Sequence, residues 1–180
     1  MRGAQGVAVL LRRRGLHRAH CKAGAQVSDQ LGSSLSSEGA AVLSFSDAVG
    51  VFAQEVAALN TAVADGDVQV ACSHALRLAA LAVLVDPRAG VRGEGGPGRC
   101  RSLVQAVVRQ ADVSADPPGR IQAYSGGRFL RHRVDHFGAA VQRCNWVRAV
   151  HIAHSIAALA LRFASEVQPV AGLPELGHRR

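Results

Sequence analysis

The stretch Ser44–Asn60, SFSDAVGVFAQEVAALN, decides the fold. Phe45, Val49, Phe52, Val56 and Leu59 recur at i, i+4, i+7, i+11 and i+14, which is one face of an α-helix. Ser44 with Asp47 makes a start like a capping box, where a side-chain oxygen takes up a free N–H of the first turn. Asn60 predicts the stop. A helix this regular predicts a mostly α fold.

Outward from it, the chain alternates between apolar segments and breakers. Val68–Asp86 is rich in Ala and Leu and ends at Pro87, which disfavours helix in the residue before it. It predicts a second helix, with a short strand at Leu81–Val85 as the alternative. Asp86–Arg101 is dense in Gly and Pro and reads as a linker. Ser102 and Gln105 suggest a capping box opening a short helix to Asp112. Arg120–Val134, RIQAYSGGRFLRHRV, allows a short β-hairpin turning at Ser125–Gly127. A last helix is expected over about 137–167 on Ile152, Ile156, Leu159 and Phe163, with Pro169 ending it.

The expected architecture is three or four loosely packed helices behind a disordered basic N-terminal tail, with that one hairpin optional. By residues it divides into a tail over 1–40, a helical hairpin over 41–86, a Gly-rich linker over 87–101, a helical segment over 102–168 and a tail over 169–180. Loose packing is expected because much of the 48% hydrophobic content is Ala, and aromatics are only 4%. Small side chains bury little area and specify a core poorly. There is no internal repeat.

Composition bears on function as strongly as pattern does. The net charge is +8, yet Lys22 is the only lysine among 21 basic residues. Guanidinium suits phosphate forks, but that gives no reason to exclude lysine from ordinary surface. Residues with AT-rich codons (Lys, Asn, Ile, Met, Phe, Tyr) are scarce, while Ala, Gly and Arg abound. Acids are scarce too, and His is plentiful at 8. An antisense or shifted frame through GC-rich DNA would produce that combination. An amphipathic gene read in register on its opposite strand stays amphipathic, so helical stripes alone do not argue for selection.

The Arg-rich start followed by Ser-rich sequence has the composition of a mitochondrial transit peptide, but a plain disordered tail is the preferred reading. The longest apolar run, Ala75–Val85, falls short of the ~20 residues that cross a bilayer and contains Arg77. No transmembrane segment is expected. The four scattered cysteines, Cys21, Cys72, Cys100 and Cys144, form no CxxC pair and predict free thiols in a reducing, cytoplasmic setting.

Few constellations carry chemistry. Gly93, Gly95 and Gly98 spell GxGxxG, and Asp112 follows at the distance of a ribose-binding acid. A linker separates them from the preceding apolar run, however, and Pro97 removes an amide from the loop. His132 and His136, His151 and His154, with Cys144 between, are possible zinc ligands if tertiary folding gathers them. Ser125 lacks GxSxG flanks, and Asp112 and Asp116 sit in an apparent loop. No enzyme and no cofactor are expected.

The nucleic-acid candidates are Arg120, Arg128, Arg131, Arg133, Arg143 and Arg148, with Tyr124, Phe129 and Trp146 interleaved. Arginine would meet phosphates while aromatics stack on unpaired bases. Three expectations follow: no assignable biochemical function; a basic helical module binding nucleic acid non-specifically; a zinc-binding module. No partner is identifiable beyond nucleic acid.

Overall fold

Short polar side chains set where the central helices begin. In a computed structural model describing residues 2–36, 43–89, 96–113 and 120–167, the chain forms six helices and, among those residues, no strand. Side chains of the first helix are described from Gly15 to Gly32, and of the fourth from Gly98. The helices are α1 (Arg2–Ser36), α2 (Phe45–Ala64), α3 (Val68–Leu84), α4 (Gly96–Val113), α5 (Ala123–Gln142) and α6 (Trp146–Glu166). A 3-10 turn at Pro87–Ala89 follows α3. Ser44 Oγ accepts the Asp47 N–H at 3.1 Å, Asp67 Oδ1 that of Val70 at 3.0 Å, and Asn145 Oδ1 that of Arg148 at 3.1 Å. Each satisfies an N–H that has no partner within its own helix.

Two helix pairs are built alike. At the end of α2 the Gly66 N–H bonds the Val63 carbonyl and the Asp67 N–H bonds that of Ala62. At the end of α5 the Cys144 N–H bonds the Val141 carbonyl and the Asn145 N–H that of Ala140. Both are Schellman closures with one left-handed residue, Gly66 at φ 77° and Cys144 at φ 51°. The next residue caps the following helix. Thus α2 turns directly into α3, and α5 into α6.

The two pairs dock as a four-helix bundle, α2 against α3 and α5, α6 against α3 and α5. α1 and α4 pack on each other and lie against α6, and α1 also touches α3. α6 is therefore shared between the bundle and the outer layer. From Ile156 to Val167 all its described residues except Ala164 are buried. Ala71, Ala75, Ala79 and Ala82 of α3 and Ala149, Ala153, Ala157 and Ala160 of α6 are all buried, so both helices, which pack against each other, present many small side chains to the core. Larger groups fill the rest: the rings of Phe52 and Phe137 meet at 5.0 Å in a tilted contact, and Phe163, Leu59, Leu78, Leu130 and Ile156 are fully buried. Each such side chain contributes about 1.5–3 kcal/mol by leaving water.

The mostly α class stands, with several corrections of detail. The expected tail over 1–40 contains α1, because Ala23, Val27 and Leu31 form an i, i+4, i+8 stripe buried in the core. The hairpin at Arg120–Val134 is the start of α5. Its Gly126 and Gly127 make no turn; they let helices approach closely. A Cβ on Gly126 would sit 2.5 Å from the Phe163 ring, and one on Gly127 would collide with the Asn60 amide. The single last helix is two, broken at Arg143–Asn145. α2 runs past Asn60 to Ala64. α4 starts at Gly96, six residues before the expected capping box, and Ser102 Oγ bonds back to the Gly98 carbonyl at 3.1 Å. Residues 169–180, Asp116, Gly93 and Gly95 lie outside the described residues.

Among the described residues one helix, α6, is long and apolar enough by length and composition to cross a membrane, where the sequence predicted no such segment. Here that apolar surface is covered by α1, α3, α4 and α5, and the helix carries buried Arg162 and Glu166.

Candidate functional site

The structure divides the six candidate arginines. Arg128 and Arg131 lie on the outer face of α5, and both are exposed. Tyr124 shares that face at 73% exposure and Phe129 flanks it at 39%. Tyr124, Ser125, Arg128, Phe129 and His132 line an open groove of about 430 Å³. Arg143 caps the far end of α5 and Arg148 lies in the first turn of α6, beside Trp146. Trp146 is half exposed and stacks on Phe45 at 5.1 Å, so part of its ring serves the fold.

Two arginines stand apart. Arg133 is half-buried on the flank of α5. Arg120, ahead of α5, donates from Nε to the Glu166 carbonyl at 3.1 Å and so helps close the fold. Asp135 is exposed on the same side of α5 as Arg128 and Arg131 and offsets part of their charge. Arg128 and Arg143 are fifteen residues apart, about 22 Å along the axis at 1.5 Å per residue. That reach suits a few nucleotides of flexible strand.

The zinc candidates are scattered. The rings of His132 and His136 meet at 4.2 Å on the outside of α5, tilted by 54°. His151 is exposed, His154 points at Asp86, and Cys144 sits in the turn. Among the described residues no three of His, Cys, Asp and Glu gather to hold a metal. Ser125 Oγ donates to the Gln122 carbonyl at 3.2 Å in the first turn of α5.

The more organised polar groups are those the sequence did not connect. Among the described residues three carboxylates are buried, and each is met by basic groups. Glu55 of α2 is 2.8 Å from His74 Nδ1 and 2.9 Å from Arg77 Nη2, both on α3. Asp86, after α3, accepts from Arg88 Nη2 at 2.6 Å and lies 2.9 Å from His154 Nε2 of α6, out of line for a hydrogen bond. Glu166 of α6 accepts from Arg162 Nε and from the Ile121 N–H, each at 2.8 Å. His20 of α1 lies between Glu166, 3.5 Å from its Nε2, and Asp112 of α4, 2.6 Å from its Nδ1. Asp112 also holds His17 Nδ1 at 2.6 Å, and His17 Nε2 is 3.5 Å from the Cys21 sulfur. Asp112 is thus a helix residue already committed to two histidines, not a loop acid awaiting a ribose.

Titration follows from these surroundings. Burial alone would raise Glu166, but the His20 imidazole facing it, with hydrogen bonds from Arg162 and the Ile121 N–H, reverses that and holds it down to about 2. Burial would lower His20, yet Glu166 and Asp112 on either side bring it above its ordinary value. His154 goes the other way. Burial lowers it, and its Asp86 is shared with the Arg88 guanidinium. Burial raises Asp86 too, and Arg88 more than compensates, so Asp86 ends below the usual carboxylate range. Burial raises the thiols of Cys72 and Cys100.

A second notch of about 430 Å³ is lined by Arg88, Arg99, Ser102 and Leu103, where Arg88 is already occupied by Asp86. Comparison with protein-family models, with curated proteins and with solved structures gives no match.

Proposed function

We propose that the chain is a basic helical module that binds single-stranded nucleic acid without sequence preference, along the outer face of α5 and the turn into α6. The observation that carries this reading is the juxtaposition of Tyr124, Phe129, Arg128 and His132 around one open groove, with Arg131 beside it. Exposed aromatic faces stack on any base, and guanidinium groups neutralise phosphates whatever the sequence. The role is binding, not turnover. Arg120 and Arg133 belong to the fold in this reading, leaving Arg128, Arg131, Arg143 and Arg148 as phosphate contacts.

Anisotropy of a fluorescent oligothymidylate tests it. Four contacts on a single strand give a log–log salt slope of about −3, so affinity falls about fiftyfold between 50 and 200 mM salt. Arg128→Ala with Arg131→Ala lowers the slope magnitude by about 1.4. Tyr124→Ala with Phe129→Ala weakens binding and leaves the slope unchanged. Salt-insensitive or undetectable binding removes the proposal.

A second reading has the composition in its favour. One lysine against an abundance of arginine is a pattern of nucleotide bias, under which the chain folds but has no evolved ligand. Undetectable oligonucleotide binding, together with a longer, more strongly biased reading frame on the opposite strand, is its expected signature.

A further inference from the structure

We propose that Cys21 is a reactive thiol, activated by His17 and positioned by Asp112, that forms mixed disulfides with small-molecule disulfides. The inference rests on geometry independent of the α5 groove. His17 and Cys21 are one helical turn apart on α1, both exposed, with His17 Nε2 3.5 Å from the sulfur. The opposite ring nitrogen, Nδ1, is 2.6 Å from Asp112 Oδ2. A nucleophile, a base in reach of it and a third group orienting the base are the parts needed for an activated thiol.

The tautomer follows from Asp112. An ionised carboxylate only accepts hydrogen bonds, so both His17 and His20, each meeting it through Nδ1 at 2.6 Å, carry hydrogen there. Neutral His17 then has its lone pair on Nε2, the atom facing the thiol. His20 occupies the other carboxylate oxygen and is itself backed by Glu166, so Asp112 is fixed from two directions. This anchoring reaches from the exposed His17 into the buried network around Glu166.

In the reaction the Cys21 proton passes to His17 Nε2. The sulfur attacks one sulfur of the small disulfide, a new S–S bond forms and the old one breaks. The departing thiolate takes the proton from His17. Cys21 is oxidised to the mixed disulfide and half of the reagent is reduced to thiol. Modification is stoichiometric, and a reducing thiol reverses it.

The molecule supplies its own comparison, because Cys144 is also exposed and lies at the far end of α5. The full chain is treated with an aromatic disulfide reagent, and the rate at each cysteine is read by peptide mass mapping. At pH 7 Cys21 is expected to react on the order of tenfold faster than Cys144. His17→Ala brings Cys21 to the Cys144 rate. Asp112→Asn slows it by a smaller factor. Circular dichroism verifies that each variant keeps its helicity, and exposed His17 is the substitution least able to disturb packing. At about pH 9.5 a free thiol ionises unaided, so parent and His17→Ala should converge there. Equal rates at Cys21 and Cys144 at pH 7, or a His17→Ala rate equal to the parent's, overturn the proposal.

Discussion

Glu166 shows how a single residue couples distant parts of the chain. Its carboxylate takes hydrogen bonds from Arg162 one turn back and from the Ile121 N–H, and faces His20 of α1, 146 positions away. With its pKa brought from 4.5 to about 2, the folded state binds this proton far less readily than the unfolded chain. Its contribution is complete above about pH 4.5 and is lost as pH falls through 2, amounting to about 3 kcal/mol at 1.36 kcal/mol per pKa unit. His20 works in the opposite sense. Its pKa is raised, so its contribution is present below 6.5 and disappears as pH rises through the folded value. Urea titrations from pH 2 to 9 should show both limbs. Glu166→Gln should flatten the acid limb, and His20→Gln the alkaline one. A Glu166→Gln protein with the parent's acid limb would mean that other carboxylates govern acid unfolding.

At the scale of elements, the two Schellman turns form a controlled comparison within one molecule. Gly66 reaches φ 77° without a Cβ penalty, whereas Cys144 holds φ 51° with one. Cys144→Gly should therefore stabilise the protein by about 1 kcal/mol, and Gly66→Ala should destabilise it, both measurable by thermal unfolding. The same comparison explains what could be read in advance. The turn after α2 announces itself as Asp65-Gly66-Asp67, but Arg143-Cys144-Asn145 has no glycine, so the last turns of α5, from about Phe137, read as continuous with α6. α2 was legible because Phe45, Val49, Phe52, Val56 and Leu59 are large. α1 was not, because its buried stripe is Ala23, Val27 and Leu31 with His20, set among charges and small residues. Gly126–Gly127 carried a turn signal and serves close packing instead. The pairing of His17 with Asp112 joins residues 95 positions apart, and no local pattern encodes that.

Across the whole molecule, charge and packing cooperate to hold the outer layer. α1 and α4 reach the bundle through apolar contacts at Ala23, Val27, Leu31, Val104 and Val107, and through the His20 link between Asp112 and Glu166. α6 carries much of the rest, touching α1, α3, α4 and α5. A chain ending at Asn145 would leave all four without their common neighbour. Such a truncation should lose cooperative thermal unfolding while keeping partial helicity, as circular dichroism and differential scanning calorimetry would reveal. A sharp transition in the truncated chain would mean that α2, α3 and α5 form an independent unit.

The place of α6 along the chain matters for biosynthesis. It is the last of the described helices to leave the ribosome, and α1, α3, α4 and α5 need it to cover their apolar sides. At ~5–20 residues per second, α1 waits roughly six to twenty-six seconds after its own emergence before that partner arrives. During this interval the part of the Ala- and Leu-rich surface of α3 that α6 covers stays open to water, so slowing translation of the final stretch should lower the soluble yield, as a synonymous-codon series would measure.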